Sequence, residues 1–279
     1  MKNGFLTRVT AFTTDPKGGN PAGVWVGEKL PDREIMQKIA KEVGFSETVF
    51  IAPGWGKNRQ VRYFSPEAEV PFCGHATIAA GVVIGEKQDI DHYTFATTVG
   101  EIPVNIDIRD KKVFASLTSV MPEQKEVPSD LLERTLSALS WNKTMLDETI
   151  PPVIAFAGNW HLILAVGNKT FLDNMEYDFY LLKSIMASNS LTTLQLIWRE
   201  NECVYHSRNP FPVGGVIEDP ATGASAAALG GYLRDAALVT CPAKIEIYQG
   251  EIMGRPSQIS VKIPAAGGII VSGSAVPMI

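Results

Sequence analysis

The chain has 279 residues, 45% hydrophobic and 20% charged, which is typical of a globular protein and argues against a disordered or fibrous one. The formal net charge is −5, and no run of five basic residues occurs. We therefore expect neither nucleic acid nor an anionic membrane surface as a partner. Cys73, Cys203 and Cys241 are widely spaced without a CxxC pair, which excludes a disulfide framework and a cysteine-rich zinc site.

The N-terminal stretch MKNGFLTRVTAF lacks the apolar core of a signal peptide. No apolar run reaches the ~18 residues that a transmembrane helix needs. Together with the cysteine usage, these features predict a cytoplasmic protein. A homodimer is the base-rate expectation for its assembly.

The first half is predicted to alternate short strands with two helices. An amphipathic helix begins with Asp32 as its N-cap and ends at Gly44. The stretch GHATIAAGVVIG at 74–85 is small and apolar on every face, which is typical of a buried helix. Strands are predicted at 5–12, 24–26, 47–52, 59–65, 93–98, 101–109 and 113–120.

The polar stretch 121–130 is the best candidate for a linker. In the second half, helices are predicted at 177–188 and at 223–234, the latter again rich in small residues. Strands are predicted at 153–157, 161–166, 191–199, 203–208, 244–249, 258–263 and 269–273.

The two halves share three anchors in the same order: a Gly-Asn turn before a strand, a Gly-bracketed helix and a Gly-Glu-Ile segment. Their nearly constant offset favours duplication over coincidence. We therefore predict two similar domains, 1–122 and 123–264, with 265–279 returning to the first. A cleft with approximate two-fold symmetry is expected between them.

Each small-residue helix starts at a glycine, Gly74 in the first half and Gly223 in the second. The first turn of a helix carries N–H groups without intrahelical acceptors and the positive end of the dipole, which suits a small anion such as a carboxylate. Close packing explains the same glycines equally well.

Polar residues also mark both helix entrances, His75 in the first and Asp219 in the second. This pair suits acid–base chemistry or substrate positioning, although helix capping or turn formation is an alternative for each.

Five motifs occur in order along the chain: GNPAGV at 19–24, SETVF at 46–50, FSPEAEVPFCGHAT at 64–77, EDPATG at 218–223 and QGEIMGRPS at 249–257. With them the chain resembles the PhzF-like (phenazine-biosynthesis) family on the diaminopimelate-epimerase fold. The resemblance implies an α+β fold of two pseudo-two-fold related domains, each a β-barrel-like sheet wrapped around a central helix. It also implies a cofactor-independent isomerase that moves a proton between carbons of a small carboxylic acid.

By the same resemblance, Glu47 moves the proton, and His75 and Asp219 position the substrate. Backbone N–H groups at Gly74–His75 and Gly223–Ala224 would hold the substrate carboxylate, with Cys73 and Ser225 also lining the site. The chain departs from the family by reading Ala224-Ser225 after Gly223, where Ser is usual directly after the glycine. Because one residue turns a helix by about 100°, the hydroxyl is expected to point elsewhere. Asn20, Arg208 and Gln249 are interpreted as structural turns or domain-closure contacts.

Two alternatives remain open from the sequence. An amino-acid racemase of the related two-thiol type is disfavoured, because Pro220 and Ala221 stand where a thiol opposite Cys73 would be needed. A non-catalytic binder of small acids is the second alternative. The histidine spacings predict no metal site, and the absence of nucleotide-binding motifs predicts no nucleotide cofactor. The physiological substrate, including whether it is a phenazine precursor, is not determined by these motifs.

Overall fold

The computed structural model describes residues 4–87 and 90–278, which divide into two compact units. One unit is formed by Met1–Thr118, Arg255–Ser257 and Ser272–Ile279, and the other by Ser119–Gly254 and Gln258–Val271. The domain limits predicted from the sequence, 1–122 and 123–264, and the predicted cleft between the domains remain predictions.

The first unit carries strands and two helices in the predicted alternation. In chain order its elements are β1 (Gly4–Ala11), β2 (Asn20–Gly27), α1 (Arg33–Val43), β3 (Glu47–Pro53), β4 (Asn58–Phe64), β5 (Glu69–Val70), α2 (Gly74–Gly85), β6 (His92–Thr97), β7 (Gly100–Arg109) and β8 (Lys112–Thr118). The chain's last strand, β17 (Ile270–Pro277), also pairs with strands of this unit.

The strands of the first unit close into a barrel. Strand β1 pairs antiparallel with β2, β2 parallel with β3, β3 antiparallel with β4, and β4 parallel with β6. Strands β6, β7 and β8 continue antiparallel, and β17 pairs with both β8 and β1. Eight strands thus form a closed ring, which leaves no unpaired edge among them.

Helix α2 fills the barrel. From His75 onwards each of its residues is buried, and it contacts β1, β2, β3, β7 and β8. A Cβ added at Gly81 would lie 2.7 Å from the Ala115 Cβ, so the absence of a side chain is what lets this helix approach β8. A helix with apolar groups all around requires such a fully enclosed position.

The second unit repeats the strand topology of the first. Its elements are β9 (Glu123–Lys125), α3 (Ser129–Ala138), β10 (Val153–Phe156), β11 (Trp160–Ala165), α4 (Lys169–Asp173), α5 (Phe179–Ser188), β12 (Thr193–Asn201), β13 (Val204–Pro210), β14 (Glu218–Asp219), α6 (Gly223–Asp235), β15 (Ala243–Gln249) and β16 (Ser257–Ile263).

In this unit β10 pairs antiparallel with β11, β11 parallel with β12, β12 antiparallel with β13, and β13 parallel with β15. Strands β1, β2, β3, β4 and β6 show the same sequence of orientations. Along the chain, the buried helix falls between equivalent strands in each unit. Helix α2 comes after β4 and before β6, and helix α6 comes after β13 and before β15. The shared topology supports the duplication, and the predicted α+β, barrel-around-a-helix class is confirmed.

Two local expectations were wrong. The supposed linker 121–130 contains β9, which pairs antiparallel with β10, and the start of α3. Asp32 does begin α1, but its side chain makes no capping bond. Its backbone carbonyl accepts from Ile35 and Met36 instead. Gly44 ends the helix in the left-handed conformation as expected, with φ of 73°.

Candidate active site

Glu47, Cys73 and His75 lie together in the first unit. Glu47 is the first residue of β3, Cys73 is the N-cap residue of α2, and His75 is in that helix's first turn. The Glu47 Oε2 atom lies 3.4 Å from Nε2 of His75. The Cys73 Sγ atom lies 3.4 Å from Nδ1 and 3.8 Å from Nε2 of the same ring.

Asn20 completes this group from the start of β2. Its Nδ2 lies 3.3 Å from Nδ1 of His75. The parallel register of β2 and β3, in which Ala22 faces Glu47, brings Asn20 and Glu47 to the same end of the barrel. The Asn20 side-chain amide thus contacts one ring nitrogen of His75, and the Glu47 carboxylate lies beside the other.

The His75 and Glu47 side chains differ in their exposure to solvent. The His75 side chain is 9% exposed, whereas the Glu47 side chain is 21% exposed. A carboxylate that is partly open to solvent beside a largely buried imidazole is an arrangement suited to proton transfer.

A hydroxyl pair fixes the first turn of α2. Thr77 Oγ1 donates to the Cys73 carbonyl at 2.7 Å and lies 2.7 Å from the Tyr63 hydroxyl. Burial raises the pKa of the Tyr63 phenol, so the phenol stays protonated. These bonds hold Gly74 and its neighbouring N–H groups at a defined position on the barrel.

The second unit holds Asp219, Gly223, Ala224 and Ser225. Asp219 lies on β14, and its Oδ2 accepts from Thr222 Oγ1 at 2.6 Å. Gln249 donates to the Asp219 carbonyl at 2.7 Å, and its Oε1 accepts from the Thr222 N–H at 3.2 Å. Gly223 and Ala224 open α6 directly after this closed set of bonds.

Ser225 is held inside the unit. Its side chain is fully buried, it donates to the Thr222 carbonyl at 3.0 Å, and it accepts from Asn209 at 2.8 Å. The hydroxyl is therefore committed to the protein, in line with the expected effect of the Ala224-Ser225 order. A direct bond from this hydroxyl to a substrate is not supported.

The phenazine biosynthesis-like family model matches residues 9–279. The chain belongs to this family. An uncharacterized isomerase of Bacillus subtilis is 30% identical over 96% of this chain and 93% of the relative. The trans-2,3-dihydro-3-hydroxyanthranilate isomerase of Pseudomonas aeruginosa is 29% identical over 93% of this chain and 90% of the relative.

A solved PhzF-family phenazine biosynthesis protein of Bacillus anthracis has a TM-score of 0.88 at 25% identity, covering 100% of this chain and 98% of its own. The family expected from the motifs is thereby confirmed. The expectation that the protein is an enzyme, an isomerase, is confirmed as well. No helix within residues 4–87 and 90–278 is long and apolar enough to cross a membrane.

Sequence reasoning missed one direct partner of a candidate residue in each unit. Asn20 and Gln249 were interpreted as turn or closure residues, yet Asn20 contacts His75 and Gln249 ties Asp219 to Thr222. The only early signal was their position inside the GNPAGV and QGEIMGRPS motifs. The side-chain donor atoms of Glu47, Cys73 and His75 also lie within 4.8 Å of one another, a proximity that histidine spacing did not reveal.

Proposed function

We propose that the protein is a cofactor-independent isomerase that moves a proton between two carbons of a small carboxylic acid. Glu47 removes the proton and returns it elsewhere on the substrate. The observation that carries this proposal is the partly exposed Glu47 carboxylate, 3.4 Å from Nε2 of the buried His75. A carboxylate so positioned is a group that both accepts and delivers a proton.

His75 supports the reaction from its fixed position. With Asn20 donating to Nδ1, Nε2 of His75 faces one oxygen of Glu47 across 3.4 Å, and a hydrogen placed there stabilises the negative charge of the carboxylate. When Glu47 carries the substrate's proton, that charge is gone and the attraction weakens. This difference favours return of the proton to the substrate. His75 therefore acts as a partner of the acid–base group.

The substrate carboxylate is proposed to bind at helix starts. The helices α2 and α6 have 12 and 13 residues, and the N–H groups of their first turns lack acceptors within the helix. The bonds at Thr77 and at Gln249 fix these two turns. Asp219, held by Thr222, is proposed to position a polar group of the substrate.

The name of one relative supports a proposal for the substrate class. The Pseudomonas aeruginosa relative is named for trans-2,3-dihydro-3-hydroxyanthranilate, a cyclic unsaturated acid. We propose this class of acid for the present protein, which acts without a cofactor. A cytoplasmic location and a homodimeric state remain part of the proposal, on the cysteine usage and base rate given above.

The test is hydrogen–deuterium exchange by NMR in D₂O. Wild-type protein is incubated with trans-2,3-dihydro-3-hydroxyanthranilate and with a panel of amino and hydroxy acids. Isomerisation or deuterium uptake should fall by about 10²- to 10⁴-fold in Glu47→Gln, since that is the usual contribution of a positioned acid–base group. Glu42→Gln, which changes an exposed carboxylate on α1, is the matched control and should retain full activity.

Full turnover by Glu47→Gln would refute the role of this residue. Deuterium uptake at the α-carbon of an amino acid that disappears in Cys73→Ala would instead favour the racemase. That outcome is disfavoured because Cys203 and Cys241 do not flank the start of α6. Binding of an acid without any exchange would favour the non-catalytic binder.

A further inference from the structure

Two buried polar side chains lie behind the start of α6 in the second unit. Asn209 on β13 and Ser225 in the first turn of α6 are both fully buried. The Asn209 Nδ2 atom lies 2.8 Å from Ser225 Oγ, which in turn lies 3.0 Å from the Thr222 carbonyl oxygen. We call these two residues the Asn209–Ser225 pair. The proton transfer proposed above gives neither of them a role.

The hydrogen positions in the Asn209–Ser225 pair follow from the chemistry of its partners. A backbone carbonyl only accepts, so the Ser225 hydroxyl donates to the Thr222 carbonyl. The hydroxyl has a single hydrogen and therefore accepts from the Asn209 amide. The Asn209 amide also donates to Thr193 Oγ1 at 3.3 Å, and Ser207 Oγ donates to Asn209 Oδ1 at 2.7 Å. Both ends of this amide are thus bonded, which fixes its orientation.

Thr222, the N-cap residue of α6, is the residue that the Asn209–Ser225 pair holds. Its carbonyl accepts from Ser225 Oγ in addition to the Ala226 N–H, which donates at 3.1 Å. Its own N–H donates to Gln249 Oε1 at 3.2 Å. Because the backbone of Thr222 is bonded on both sides of its Cα, the direction of its side chain is fixed.

The Thr222 side chain connects this pair to Asp219. Thr222 Oγ1 donates to Asp219 Oδ2 at 2.6 Å and accepts from Gln249 Nε2 at 3.0 Å. A hydrogen bond from a hydroxyl to a carboxylate is short and strong, so the position of Thr222 determines where this carboxylate oxygen lies. A continuous chain of hydrogen bonds therefore joins the interior residue Asn209 to the carboxylate that is proposed to position the substrate.

The first unit contains the same arrangement. Thr77 Oγ1, in the first turn of α2, donates to the carbonyl of the N-cap residue Cys73 at 2.7 Å. The Tyr63 hydroxyl on β4 lies 2.7 Å from Thr77 Oγ1 and donates to it for the same reason. Strand β4 has the pairing of β13: each is antiparallel to the preceding strand and parallel to the strand after the buried helix. Two units that hold the N-cap residue with different side chains indicate that its position matters in both.

We propose that Ser225 and Asn209 are positioning residues of the isomerase, which act on Asp219 through Thr222. The Ala224-Ser225 order then has a physical reason, because it places the hydroxyl where it holds the N-cap residue. This inference rests on the proposed function, which gives Asp219 its role. Asp219 contacts the substrate both before and during proton transfer, so loss of its support should raise KM and leave kcat nearly unchanged.

The kinetic test measures isomerisation of trans-2,3-dihydro-3-hydroxyanthranilate by the full chain. Ser225→Ala should raise KM about two- to tenfold, which corresponds to the net contribution of one hydrogen bond. Ser225→Cys, which keeps a weak donor of similar size, should raise KM less. Ser188→Ala is the matched control. It removes an exposed hydroxyl that donates to the Ser184 carbonyl on α5 at 2.8 Å, and it should change neither constant.

A double variant tests whether Asn209 acts through Ser225. Asn209→Leu has nearly the same shape without the amide and should also raise KM. Combined with Ser225→Ala it should raise KM no further, because the hydroxyl through which the amide acts is already absent. Circular dichroism should show all variants folded. Effects on KM that multiply, or a loss of kcat at unchanged KM, overturn the proposal, since a defect in core packing alone only lowers the active fraction.

Amide hydrogen exchange by NMR separates this proposal from the proposed function. The Thr222 N–H should exchange at least about twofold faster in Ser225→Ala than in wild type, because local opening then breaks one hydrogen bond fewer. Ser188→Ala should match wild type. Faster exchange without turnover on any acid supports the hold on Thr222 while the isomerase proposal fails. Turnover with unchanged exchange and unchanged KM overturns the positioning role while the isomerase proposal stands.

Discussion

A buried ion pair in the second unit offers a sharp test of how the Asp219 segment is held. The Arg208 and Glu218 side chains are only 13% and 3% exposed, and Arg208 Nη2 donates to Glu218 Oε2 at 2.7 Å. The Arg208 Nη1 atom also donates to the backbone carbonyls of Leu172, Asp173 and Met175, at and just beyond the end of α4. One guanidinium thus joins β13, β14 and a helix end.

Substitution of Arg208 by Met keeps an aliphatic side chain but removes the charge and all of these donors. The Glu218 carboxylate is then buried without its partner, a change that costs about 3–5 kcal/mol in the free energy of unfolding. The exposed pair of Lys143 and Glu133 is the matched comparison, with both side chains more than 60% exposed. Because solvent screens such a pair, Lys143→Met should cost less than about 1 kcal/mol.

Urea unfolding followed by circular dichroism measures both changes. Adding Glu218→Leu to Arg208→Met should recover much of the loss, because the double variant no longer buries a lone charge. A loss of under about 1 kcal/mol in Arg208→Met, or a double variant no more stable than the single one, would refute this reasoning.

Two further predictions concern stability. An Ala at Gly81 would place its Cβ 2.7 Å from Ala115 Cβ and 2.9 Å from Val104 Cγ1, so Gly81→Ala should destabilise the protein by about 1–3 kcal/mol in urea unfolding. Gly74→Ala on the same helix has no neighbouring atom within 4 Å and should be nearly neutral; equal losses would contradict the packing argument. Burial lowers the pKa of His161 to about 3, against about 6.5 when unfolded. The unfolded chain therefore takes up a proton that the folded one does not, and stability should fall by about 2 kcal/mol between pH 6.5 and pH 5. His161→Asn should flatten this part of the urea-unfolding profile, and an unchanged slope would contradict the assignment.

The elements that were predicted well are those whose sequence signal is local. Helix α2 was placed correctly because its residues are small and apolar on every face between two glycines, a pattern that only an enclosed helix tolerates. Strand β9 was missed for the opposite reason. Its three residues are polar and exposed, and it exists through backbone pairing with β10, which leaves no mark in side-chain hydropathy.

The candidate site shows the same difference between local signals and long-range contacts. His75 and Cys73 were recognisable because they adjoin a helix start in one motif. Their contact with Glu47 depends on the parallel register of β2 and β3 and on the placement of α2 inside the barrel. Such contacts join segments distant in sequence, so spacing rules cannot find them. The motif resemblance supplied Glu47, whereas Asp219 was already marked by its place at a helix entrance. The structure added Asn20 beside His75 and Gln249 beside Asp219.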